Sequence, residues 1–108
     1  MRARRHLLDR RTLLPRDYLV PPERFGTAGA SSALPDGGDP VSCRVAVVQH
    51  ELACALHPRN DHHLATRVAT TFGFSTSFWS DCLLGKSWMG ETVLAAAVSA
   101  LLDVDAER

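Results

Sequence analysis

Residues 65–86 read ATRVATTFGFSTSFWSDCLLGK, and the order of small, apolar and capping residues there points to one local architecture. Two helices joined by a tight turn make strict demands on a few positions. Where the helices cross, the first needs a small side chain, and Ala69 stands there. The turn needs a residue that tolerates positive φ, and Gly73 follows four positions later. An apolar residue must then pin the turn to the core, and Phe74 suits this. Ser75 is a suitable N-cap for the second helix. Trp79 and Cys82, three apart, are expected to face the first helix together, with Val68 and Phe72, four apart, facing back. These are the requirements of a helix-turn-helix.

The flanks extend the helical pattern. Val45, Val48, Leu52 and Leu56 recur at helical spacing, predicting an amphipathic helix from near Ser42 that Pro58 ends. Asn60 or Asp61 can cap the next helix, whose apolar residues are Leu64, Ala65, Val68, Ala69 and Phe72. After the third helix Gly85 is a breaker. Glu91 then suits the first turn of a fourth helix, in which Leu94, Ala97, Val98 and Leu101 form one stripe. β-branched runs are short, and no Asn-Gly or Asp-Gly joins two strands. The expectation is an all-α, four-helix domain over residues 43–108. A core this small is marginal, and a homodimer partner would help it.

The run VATTFGFSTSFWSDCLLGK resembles the helix-turn-helix of Cro-type phage repressors and of lactose-repressor-type headpieces. Val68, Ala69, Gly73, Ser75, Trp79, Ser80, Leu83, Gly85 and Lys86 fall in the register of that pattern. The continuation SWMGETVLAAAVSALLD is similar to the Cro-type fourth helix. The resemblance spans residues 45–103 and is strongest over 65–102. It implies a repressor-like transcriptional regulator that binds double-stranded DNA with no cofactor. Residues 59–72 would support and residues 75–84 would lie in the major groove. The resemblance makes Ser75, Thr76, Ser77, Ser80 and Asp81 the base-facing set, with Arg67 and Lys86 touching the backbone. The chain departs from the pattern in its chemistry. The reading positions hold no Arg, Lys, Asn or Gln, the side chains that pair bidentately with purines. Phe74 and Phe78 are also large for their places.

Upstream, residues 25–42 read FGTAGASSALPDGGDPVS, with only Phe25, Leu34 and Val41 as larger apolar groups. The composition predicts a linker that cannot offset its ordering entropy by burial. Residues 1–24 carry seven arginines against three acids. With the linker they make a basic, largely disordered arm over 1–42, with Arg2, Arg4, Arg5, Arg10 and Arg11 as a supply of phosphate contacts. No apolar stretch follows the arginine pairs, so no secretory leader is expected.

Composition sets the outer limits. Lys plus Arg equals Asp plus Glu at 12 each, which removes any argument for nucleic-acid binding from whole-chain basicity. No apolar run approaches the roughly 18–20 residues of a membrane span, so no membrane partner is expected. Cys43, Cys54 and Cys82 are an odd number without framework spacing, which fits free thiols in a reducing cytoplasm.

One further constellation carries possible chemistry. His50, Cys54 and His57 are spaced i, i+4, i+7 on one helical face, opposite the Val45–Val48–Leu52 stripe, with His62 and His63 close behind. Imidazoles and a thiolate are zinc ligands, and H-x3-C-x2-H partly resembles zinc-binding anti-sigma domains. The favoured expectation is a polar surface face with no metal. No phosphate-binding glycine loop or G-x-S-x-G is present, and no enzyme is implied. The competing class is a helical interaction module in which Phe74, Phe78 and Trp88 form a docking face.

Overall fold

The computed structural model describes the chain over residues 13–106, with side chains through Leu102. Among the described residues there are four α-helices: α1 (Pro40–Leu56), α2 (His62–Phe72), α3 (Thr76–Leu83) and α4 (Glu91–Ala106). The only strands described are a two-residue pair, β1 (Leu19–Val20) and β2 (Ser31–Ser32), antiparallel with Leu19 opposite Ser32. The chain is therefore all-α in character, as its periodicity predicts.

Side-chain caps set the helix starts. Asp39 accepts from the Ser42 N–H at 2.9 Å, and Pro40 takes the first helical position, where no donor is needed. This starts α1 earlier than its apolar stripe predicts. Asp61 accepts from the Leu64 N–H at 2.8 Å, and Ser75 from the Phe78 N–H at 3.0 Å.

The main core joins Leu56 of α1, Leu64 and Val68 of α2, Trp79 and Cys82 of α3, and Val93, Ala96, Ala97 and Ala100 of α4. Two of the predicted stripes are corrected here. On α4, Leu94 and Val98 are exposed, while Val93 and three alanines face inward. Small side chains on that face let α1 and α2 approach α4 closely, and the bulkier pair turns out. On α1, Val48 is exposed, and Ser42, Ala46, Gln49, His50, Ala53 and Leu56 are buried.

The reason α1 turns this way lies upstream. Tyr18, Leu19 and Phe25 are buried with Ala46 and Ala53 in a second cluster, flanked by Leu13, Ala30, Cys43, Leu83 and Trp88. The free linker predicted for 25–42, and the unpacked arm over 13–24, are thus corrected. Residues 13–33 dock on α1 through the 3-10 turn at Pro15–Tyr18 with Leu19 and Phe25, and a second 3-10 turn at Pro22–Arg24 packs on the first turn and β1. A few large residues suffice because each is fully buried, and backbone bonds hold the path. Arg16 N–H donates to the Gly85 carbonyl at 3.1 Å, and Ala33 N–H to that of Tyr18 at 2.8 Å. Trp88 donates its indole N–H to the Leu13 carbonyl at 2.9 Å and meets Tyr18 edge-on. Residues 1–12 of the expected arm, with its five arginines, lie outside the described residues.

Gln49 joins the two clusters. Its amide nitrogen donates to the carbonyls of Cys82 and Ser87, both at 2.8 Å, and its oxygen accepts from the Met89 N–H at 2.9 Å. All of its polar capacity but one lone pair is used, which fixes the 84–90 connection to α1.

Candidate functional site

The connection between α2 and α3 is three residues long. Gly73 has φ 82°, in the left-handed region, and donates its N–H to the Ala69 carbonyl at 2.8 Å. Phe74 shares that carbonyl at 3.1 Å and stacks on Trp79 with centroids 6.0 Å apart. Phe78 meets Phe74 edge-on at 6.3 Å. Trp79 is fully buried and donates its indole N–H to the Asn60 side-chain oxygen at 3.0 Å. Asp61 is the α2 cap, which leaves Asn60 to tie the start of α2 to the middle of α3.

With Trp79 and Cys82 inside, the outward side of α3 follows from about 100° per residue. Ser77, Ser80, Asp81 and Leu84 share it, with Thr76 on one flank and Phe78 on the other. All are exposed except Asp81, which is half-buried. Ser75 is exposed at the helix start, its hydroxyl oxygen engaged in the cap. The sequence-predicted serines, Thr76 and Asp81 therefore sit together on one helix. The unpaired N–H groups of its first turn add a weak positive end.

The cations are divided. Lys86 is exposed just past α3, and Arg16 enters the same corner through its backbone bond to Gly85. Arg67 lies elsewhere. It borders a recess of about 120 Å³ with Ala96 and Ser99 of α4, on the side of α2 turned from α3. Sequence reasoning also missed an acid: Glu23 joins Ser80, Leu84, His57 and Asn60 around a cleft of about 260 Å³. Only docking of the 13–33 segment brings Glu23 beside α3, and no local pattern signals it.

Of the three docking-face residues Phe74 and Phe78 meet, and Trp88 lies apart. Trp88 is half-buried against Tyr18, and Phe74 is half-buried on Trp79, leaving Phe78 and Leu84 as exposed apolar groups of this region.

His50 departs from its surface expectation. It is buried, edge-on to Phe25 at 5.4 Å, and its Nδ1 accepts from the Gly26 N–H at 2.9 Å. That bond assigns the proton of the neutral ring to Nε2. Nε2 lies 3.5 Å from the Cys54 sulfur. Ligating a metal through Nε2 would move the proton to Nδ1, against the Gly26 donor. Burial, and secondarily the Glu51 carboxylate, push the Cys54 thiol up. His57 is exposed at the end of α1. Among the described residues no three His, Cys, Asp or Glu side chains form a group that could hold a metal ion. No described helix is long and apolar enough to cross a membrane.

No family model matches the chain, and no curated protein or solved structure matches it.

Proposed function

We propose that the chain is a sequence-specific DNA-binding regulator, with α2 and α3 as a helix-turn-helix and α3 as its recognition helix. The observation that carries this reading is the outward side of α3. A short capped helix, anchored by buried Trp79 and Cys82, presents Ser77 and Ser80 to solvent with Thr76 beside them. Hydroxyls contact bases and phosphates singly, and the first turn of α3 favours a phosphate. Lys86 and Arg16 at the far end of α3 supply positive charge where the helix leaves the groove. Asp81 opposes phosphate and accepts from cytosine, so it contributes to sequence preference and subtracts from general affinity.

Phe78 and Leu84 favour a second reading, a protein-interaction module that uses the same surface, because both are exposed apolar groups on or beside it. Fluorescence anisotropy of the full chain with a random duplex, at several salt concentrations, separates the two. A DNA-binding chain shows affinity that falls linearly in log–log form with salt. Selection from a random duplex pool then yields a preferred sequence. No salt-dependent binding to any duplex would leave the interaction module as the reading.

A further inference from the structure

The outer side of α1 carries an apolar seam that nothing in the described chain covers. Val41 and Val48 are 57% and 54% exposed, and Ala55, seven residues further on, is exposed too. A spacing of seven returns to nearly the same side of a helix, drifting by only about 20° per step. Val45 and Leu52, also seven apart, flank this seam and are only half-buried. The sequence marks both of them, with Val48, as core residues.

The charges beside the seam say what covers it. Arg44 and Glu51 are both exposed, again seven apart, and neither has an ion-pair partner among the described residues. They are about 10 Å apart along the axis at 1.5 Å per residue, so they bracket Val48 rather than meeting each other. We propose that α1 pairs antiparallel with α1 of a second copy of this chain, across a two-fold axis at Val48.

That axis sets Val48 on its own counterpart and Val41 against Ala55 of the second copy. It also brings each Arg44 across the seam to the other copy's Glu51, twice per dimer. A parallel pairing would set Arg44 on Arg44 and Glu51 on Glu51, so charge selects the antiparallel arrangement. An isologous contact must be self-complementary in this way. The other exposed apolar stripe, Leu94, Val98 and Leu102 of α4, fails the same test. α4 holds no basic residue, so no acid on it could meet a cation on the α4 of a second copy. The pairing does not depend on DNA binding.

Sedimentation of the full chain in reducing buffer tests the proposal, since the three cysteines are free thiols that could cross-link. A concentration-dependent dimer is expected. Val48→Glu should abolish it while the circular dichroism spectrum of the folded chain stays unchanged, because the side chain is outside both cores. Arg44→Glu and Glu51→Arg should each weaken association by about tenfold or more, through like charges across the seam. An equimolar mixture of those two variants should recover it, since the heterodimer again pairs opposite charges at both sites. Wild-type chain that stays monomeric at every concentration overturns the proposal. So does dimerisation untouched by Val48→Glu, or a mixture that associates no better than either variant alone.

Discussion

Gly73 and Gly85 both adopt positive φ, at 82° and 76°, yet their surroundings differ. A Cβ built on Gly73 meets no heavy atom within 4 Å, so only backbone strain opposes a side chain there. Gly73→Ala is expected to cost about 1–2 kcal/mol, the penalty of a left-handed residue. A Cβ on Gly85 would stand 2.6 Å from Cγ of Phe25 and 2.9 Å from Cβ of Arg16. Gly85→Ala must therefore also displace the 13–33 segment, and its urea midpoint should fall further than that of Gly73→Ala. Equal midpoints would mean that this segment does not press on Gly85. Cys82 gives a residue-scale test of another kind. Burial, and secondarily the Asp81 carboxylate, push its thiol up to about 11 from the ordinary thiol value of 9.0. The unfolded chain then loses that proton at lower pH than the folded one. The stabilisation is whole below about pH 9 and is lost as pH rises toward 11. Other groups titrate in this window, so the measurement is the difference between wild type and Cys82→Ala. The wild type should lose more stability across pH 9–11 than the variant.

At the scale of elements, the joint between α2 and α3 is the part most legible in the sequence. Gly73, Ser75, Trp79 and Cys82 each occupy a position that local geometry constrains, so their identities report it directly. The rotation of α1 and α4 is less legible. Periodicity marks the apolar residues of a helix but does not say which flank meets the closest neighbour. On α4 the stripe Leu94–Ala97–Val98–Leu101 competes with Val93–Ala96–Ala97–Ala100, and the second faces the core, where its three alanines allow close packing. Two substitutions check that orientation. Ala97→Leu adds bulk to a fully buried site and should destabilise by about 1–3 kcal/mol. Val98→Ala removes bulk from an exposed site and should shift stability by no more than about 0.5 kcal/mol. A stripe centred on Val98 would reverse the order. Trp79→Ala, by contrast, empties a site shared by α2, α3 and α4 and should cost roughly 3–5 kcal/mol. Trp79→Phe retains much of the volume and loses the bond to Asn60, so its cost should be smaller.

For the molecule as a whole, the division between head and body falls in a different place from the one composition indicates. Tyr18, Leu19 and Phe25 are scattered among prolines and glycines with no period, so nothing local distinguishes them from linker residues. Their burial depends on Ala46 and Ala53 leaving a shallow face on α1, a complementarity between segments distant in sequence. The same docking brings Glu23 beside Ser80 and Leu84 and Arg16 beside Gly85, which is why that part of the site is not legible locally. The consequence for DNA binding is a prediction about two truncations. Removing residues 1–12 takes away Arg2, Arg4, Arg5, Arg10 and Arg11, five of the 12 cationic side chains, and none of the residues described in the two cores. The salt slope of binding falls by about 0.9 for every phosphate no longer neutralised, so this truncation should flatten the slope. Removing residues 1–24 takes Tyr18 and Leu19 as well, strips cover from α1 and should lower the melting temperature steeply. Asp81→Asn on the full chain should tighten binding to any duplex, and Ser77→Ala or Ser80→Ala should alter sequence preference at nearly constant slope. Anisotropy against salt, with a thermal melt on each variant, resolves the contributions. If the shorter truncation keeps the full slope, the arginines of the head neutralise no phosphates. General affinity must then come from Lys86, Arg16 and the amino end of α3.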